Sequence, residues 1–189
     1  MKKAIRAFGV AESFRKELGS KSILAGIVMR GDLIIDGVML GSCTVGGMDS
    51  TEKILEMWRK LNRDDINVIL LNGCVISWFN VINLSRLYKE TDTPVICVTY
   101  EASEGIDDYF KRYFPDDWME RLRVHKENGE RREITLKTGY RVFVRSLGVG
   151  EKQARQVLNI FTLHGRLAEP LRVAKQLSRS VLMLETDPS

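Results

Sequence analysis

Apolar residues along this chain follow two rhythms: short unbroken or alternating runs in the first half, and three-to-four-residue spacing in much of the rest. AIRAFGV (4–10), ILAGIVMR (23–30) and LIIDGVMLGSCTV (33–45) read as strands. The last two are joined at Gly31-Asp32, where a tight turn would make an antiparallel hairpin. INVILLNG (66–73) and PVICVTY (94–100) are continuous apolar runs, as expected of strands buried on both faces. Ile54, Met57, Trp58 and Leu61 line one face of a helix that Asp49 opens, with Glu52 at capping-box spacing. A second helix is expected over about 80–90. The charged section 101–131 is expected to be helical, anchored by Trp118, Leu122 and Val124. REITLKTGYRVFVRSLG reads as two short strands around Thr138-Gly139. A helix over about 150–164 carries Ala154, Val157, Leu158 and Phe161 on one face. Another starts near Glu169-Pro170 and buries Leu171, Ala174, Leu177 and Val181.

The pattern β-β-β-α-β-α-β, then helices, predicts one α/β domain over 1–189. Its first three strands would be antiparallel, and the strands separated by helices parallel. In such sheets the active crevice lies outside the carboxyl ends of the parallel strands. Those ends carry Ala11-Glu12, Asn72-Gly73 and Tyr100-Glu101.

Composition narrows the class. With 44% apolar and 29% charged residues the chain is an ordinary globular one. No apolar run is long enough to span a bilayer, and MKKAIRAFGV reads as a strand rather than a signal peptide, so a cytoplasmic protein without a membrane role is expected. Cys43, Cys74 and Cys97 are odd in number and widely spaced, which argues against a disulfide framework, and Cys74 and Cys97 are expected to pack as small core residues. His125 and His164 lie in no zinc-ligand spacing. Net charge is 29 − 25 = +4. Residues 121–180 hold 14 Lys/Arg against 5 Asp/Glu, whereas residues 1–120 hold 15 against 18. A basic C-terminal third suits a polyanion such as nucleic acid. Solvated helix faces explain the same charges, and no aromatic residues interleave with them as single-strand binding would favour.

Phosphodiester hydrolysis by divalent metals needs several converging carboxylates. At Asn72, where such an enzyme would place a carboxylate, the chain has an amide. It offers a neutral ligand oxygen, or serves as an Asn-Gly turn. Glu12, Asp49 and Glu101 are the remaining catalytic candidates. Glu12, Asp49 and Asn72 would hold magnesium or manganese weakly. Glu12 also reads as a solvated loop residue, and Asp49 as a helix cap. Arg172 and Lys175 are candidates for phosphate contact and Trp78, with Phe79 beside it, for base stacking; a helix-start role for Arg172 and a core role for Trp78 and Phe79 are the plainer readings.

GVAESF, VGGMDSTEKI, LLNGCVISWFNVINLSRLYKETDTPVICVTY and GRLAEPLRVAKQLSRS resemble an archaeal family, domain-of-unknown-function family ninety-nine. That family is a distant relative of endonuclease V, and the resemblance implies a ribonuclease H-like mixed sheet flanked by helices. It also implies carboxylates where this chain has Ala11 (beside Glu12), Gly46 or Asp49, and Asn72, and a histidine near Val149. The aromatic-proline wedge with which endonuclease V separates DNA strands has no counterpart here. The expectation is therefore a nucleic-acid-binding protein with a degraded metal-carboxylate site. A nuclease using the reduced set, and an interaction or scaffold domain open to homodimer formation, are the alternatives.

Overall fold

A computed structural model describes residues 5–101 and 105–186. Residue 4 of the expected first strand and part of the 101–131 section lie outside the described residues. The elements run β1 (Arg6–Ser13), β2 (Lys21–Arg30), β3 (Ile35–Thr44), α1 (Ser50–Leu61), β4 (Val68–Asn72), β5 (Val75–Ile76), β6 (Asn80–Val81), α2 (Leu84–Thr91), β7 (Val95–Thr99), α3 (Ile106–Tyr113), α4 (Trp118–Glu127), β8 (Arg132–Thr135), β9 (Arg141–Leu147), α5 (Glu151–Phe161) and α6 (Glu169–Thr186).

Seven strands form one sheet in the order β3-β2-β1-β4-β7-β9-β8. β1, β4 and β7 are parallel, and β2, β3, β8 and β9 complete the sheet in antiparallel pairs. The apolar runs at β4 and β7 are central and buried on both faces, as their composition requires. One core lies between the sheet and α5 and α6, and includes Ala11, Leu70, Val98, Leu158, Leu171 and Ala174. The other lies under α1 and α2 and includes Phe8, Val10, Ile54, Leu71, Leu87 and Cys97.

Gly9 sets the approach of α6. A β-carbon there would lie 2.5 Å from Pro170 Cβ and 2.8 Å from its carbonyl carbon, so only a bare backbone lets the helix cross β1 this closely. Beyond the crossing, the Ser178 hydroxyl lies 3.0 Å from that of Ser13, and both are buried. The buried stripe of α6 is Leu171, Ala174, Ser178 and Leu182, with Leu177 and Val181 only partly covered.

Three expectations change. The first strand continues past 10 to Ser13, because β2 pairs with it down to Ser13↔Ile23; Ala11 and Glu12 are strand residues, not a loop. The second helix begins at Leu84, since Val75–Val81 forms a small hairpin, β5–β6. Asp49 precedes α1, but its side chain does not cap it. Its oxygens accept from the Thr44 amide (3.0 Å), the Thr44 hydroxyl (2.9 Å) and the Asn80 amide (2.8 Å). Glu52 pairs with Arg59 and Arg86 instead of closing a capping box.

Candidate nucleic-acid interface

Successive strand residues point to opposite faces, and this parity decides which candidates can meet. Ala11 and Val98 face the α6 side, while Val10, Leu71 and Cys97 face the α1 side. Asn72 therefore shares the α6 face with Ala11, the two positions the resemblance pairs. Neither carries charge.

Glu12 turns the other way. Its Oε2 lies 3.3 Å from the Ser22 hydroxyl, which also approaches Ser77. Lys175 donates to the Glu12 carbonyl at 2.6 Å, and its ammonium is 3.9 Å from Oε1. Burial raises the Glu12 carboxyl above its ordinary range, only partly offset by Lys175, Ser22 and the Ser77 main chain. For Asp49, burial raises the carboxyl, but the Thr44 and Asn80 hydrogen bonds outweigh it and hold the group below the usual range. Asp49 is thus an anion already satisfied by Thr44 before it and by Asn80 on β6.

Asn72 opens onto a shallow crevice of about 370 Å³ with Tyr100, Glu101, Arg131 and Arg166. Glu101 is 85% exposed and sits 3.9 Å from Arg166. Tyr100 packs against the α6-side core, and its hydroxyl is enclosed without a hydrogen-bond partner among the described residues. Burial pushes that hydroxyl up. Arg172 pairs with Glu169 at 3.2 Å. Val149 lies just before α5, beside the α6-side core. Gly46 has φ +71°, and a β-carbon there would meet the Trp78 ring at 2.8 Å, so no carboxylate fits.

These donors do not fit a divalent-metal centre. Among the described residues no three His, Cys, Asp or Glu side chains converge to hold a metal ion. The carboxylates that remain lie on the wrong face, hydrogen-bonded, or in solvent.

A larger cleft of about 660 Å³ adjoins the crevice, sharing Gly73 and Arg131 with it. Arg145 organises its floor: it donates to the Gly129 carbonyl at 2.7 Å and approaches Cys74 Sγ (3.4 Å) and His125 Nε2 (3.3 Å). Hydrogen bonding from Cys97, then the Arg145 charge, brings the Cys74 thiol below its ordinary value despite its burial. All three cysteines are buried and free. Burial, with the Arg145 guanidinium beside it, brings His125 down to about 4. Between about 6.5 and about 4 the unfolded chain protonates this imidazole and the folded protein does not. Stability attributable to His125 should therefore fall as pH drops through that window, by roughly 1 kcal/mol after allowing for its partial exposure. Urea titrations at pH 7 and pH 5 should show the loss, and His125→Gln should shrink it. An unchanged pH dependence in the variant would remove the assignment.

Trp78 belongs to a ring cluster with Phe79, Tyr113 and Phe114, at centroid separations of 6.3, 5.8 and 5.1 Å. It is half-buried, between the core and stacking readings. Sequence reasoning missed Tyr113 beside it and Tyr109 beside Phe79, although YFKRYF (109–114) sets basic residues between aromatic pairs.

The family model described as Endonuclease dU matches residues 3–182. The chain belongs to the Endonuclease dU family. A UPF0215 protein of Pyrobaculum calidifontis is 34% identical over 173 residues, covering 91% of this chain and 94% of the relative. Among solved structures, an Archaeoglobus fulgidus protein superposes with a TM-score of 0.80 at 22% identity, covering 97% of this chain and 99% of that one. Ciona intestinalis endonuclease V, solved with a DNA 24mer containing inosine, superposes at 0.63 with 17% identity, covering 97% and 87%. This member of the Endonuclease dU family thus has the ribonuclease H-like, endonuclease V-like fold, with its mixed sheet flanked by helices. No helix among the described residues is long and apolar enough to cross a membrane.

Proposed function

We propose that the protein binds nucleic acid across the carboxyl ends of β1, β4 and β7 and that its metal-carboxylate centre is degraded. The observation that carries this reading is parity: Ala11 and Asn72 share the α6 face without a charge, while Glu12 is turned away and Asp49 is held by Thr44 and Asn80. Arg131 and Arg166 line the crevice beside Asn72 and supply positive charge there. The DNA held by the Ciona endonuclease V and the Endonuclease dU description supply the class of ligand. The family description also favours a second reading, a divalent-metal endonuclease working with a reduced carboxylate set.

One experiment separates the two. Labelled single- and double-stranded oligonucleotides, with and without a deoxyuridine, are mixed with the protein in magnesium or manganese. Binding is expected, weakening about ten-fold or more between 50 and 200 mM salt, with strands left intact. Metal-dependent cleavage that disappears in Glu12→Gln or Asp49→Asn would overturn the first reading and establish the second. Absence of binding at low salt would overturn both.

A further inference from the structure

Away from the strand-end crevice, the β5–β6 turn and α3 together carry a group of rings. Tyr109 and Tyr113 lie one turn apart on α3, with rings parallel to within 7° and centroids 6.3 Å apart. Phe79 is 5.9 Å from each and inclined to them by only 20° and 23°. Three rings from two separate segments thus share nearly one orientation. Tyr109 is 49% exposed and Tyr113 39%. Aromatic side chains in a core seldom leave such faces to solvent.

The turn that presents Phe79 is strained. Ser77, Trp78 and Phe79 have φ of +46°, +57° and +68°, a run of left-handed residues none of which is glycine. Such conformations are unfavourable for bulky side chains and persist where the surroundings enforce them. The Ser77 hydroxyl bonds to Ser22, and Arg121 donates to the Phe79 carbonyl at 2.9 Å. An ordinary turn would not set these two aromatic residues side by side facing α3.

Cations accompany the rings. The Lys16 ammonium sits 3.8 Å over Trp78 and 5.8 Å from the Tyr113 centroid, and the Arg112 guanidinium is 5.5 Å from Tyr113. Asp107 and Asp108 on the same helix line the neighbouring cleft, and Asp107 faces Lys126 at 3.9 Å. Of the exposed aliphatic residues, Ile35, Val38 and Leu40 lie on β3, while Met119 lies on α4, which packs against α3. Phenol rings with cations beside them match the flat faces and phosphates of a nucleic acid better than the aliphatic surface of a protein. Base faces are open only in unpaired strands.

We propose that Phe79, Tyr109 and Tyr113 form a base-stacking platform for single-stranded nucleic acid, with Lys16 and Arg112 placed to meet its phosphates. This rests on the nucleic-acid reading above and specifies the strand state that reading leaves open.

The full chain would be titrated at low salt against a fluorescein-labelled thymidine 20mer and a hairpin duplex of matched length. The Tyr109→Ala/Tyr113→Ala variant should bind the single strand about 10- to 100-fold more weakly, with duplex affinity within about two-fold of the parent. Tyr109→Phe/Tyr113→Phe keeps the rings and should retain single-strand affinity within about two-fold, and Lys16→Glu should weaken it. A circular dichroism melt of each variant verifies folding, and Tyr109→Ala alone serves if the double variant is unstable. If the parent binds and neither alanine variant loses affinity, the platform is wrong while the broader reading stands. Equal loss in the phenylalanine and alanine variants would also overturn it. A parent that binds neither oligonucleotide removes both.

Discussion

Arg121→Ala should melt about 10 °C or more below the parent. Arg121 is a cation only 3% exposed. Its guanidinium forks onto Asp117 through Nε and Nη2, both at 2.7 Å, and donates to the carbonyls of Gly46, Gly47 and Phe79 at 2.8, 3.0 and 2.9 Å. Its flat face lies 3.7 Å over the centre of the Phe114 ring. One side chain therefore ties α4 to the loop before α1 and to the strained turn between β5 and β6. Asp117 is itself 44% exposed, so the loss lies mainly in the three carbonyls left without their charged donor, each such hydrogen bond contributing about 1.5–3 kcal/mol. In a chain of this size each kcal/mol moves the melting temperature by about 2–4 °C. Arg121→Lys should recover little, because a compact ammonium cannot fork to Asp117 and three carbonyls at once. Scanning calorimetry decides the matter, and a variant melting within about 2 °C of the parent would show that the clamp carries no weight.

The second large effect is expected at Gly9. Gly9→Ala places a methyl group against Pro170, with its backbone carbon on the far side of the contact, so relief requires α6 to shift bodily. Overpacking of this kind costs about 1–3 kcal/mol, and Gly9→Val should lie at or beyond the upper end. The loss should concentrate in α6, whose amides should exchange hydrogen faster while those of α1 keep their protection. Uniform loss of protection across both helices would mean that the contact does not act locally.

Much of this architecture was legible from spacing alone. β4 and β7 announced themselves as continuous apolar runs, and the α5 stripe of Ala154, Val157, Leu158 and Phe161 is buried as its period requires. The ribonuclease H-like fold followed from the resemblance and agrees with the solved relatives. Parity at the site was less accessible. With the first strand ended at 10, Ala11 and Glu12 looked like adjacent loop residues free to face one crevice; pairing to β2 as far as Ser13 fixes them on opposite faces. Asp49 and Glu52 had capping-box spacing, but Thr44 and Asn80 compete for Asp49, and Asn80 is distant in sequence. No glycine or Asn-Gly pair marked the left-handed run at Ser77–Phe79, because tertiary contacts rather than local preference hold it. For the same reason only Trp78 and Phe79 stood out as stacking residues, since Tyr113 comes from α3.

Parity along β1 also sets a mutational distance. A strand-end carboxylate pair on the α6 face would need acidic residues at both Ala11 and Asn72. Ala11 is 4% exposed, so an aspartate there, alone, is a buried charge and a direct loss of stability. An aspartate at Asn72 alone supplies one ligand where catalysis needs several. Each single step is therefore neutral or harmful, and only the combination, with a cation to neutralise it, is rewarded. Selection acting on one substitution at a time meets a valley between this chain and a strand-end carboxylate pair on that face.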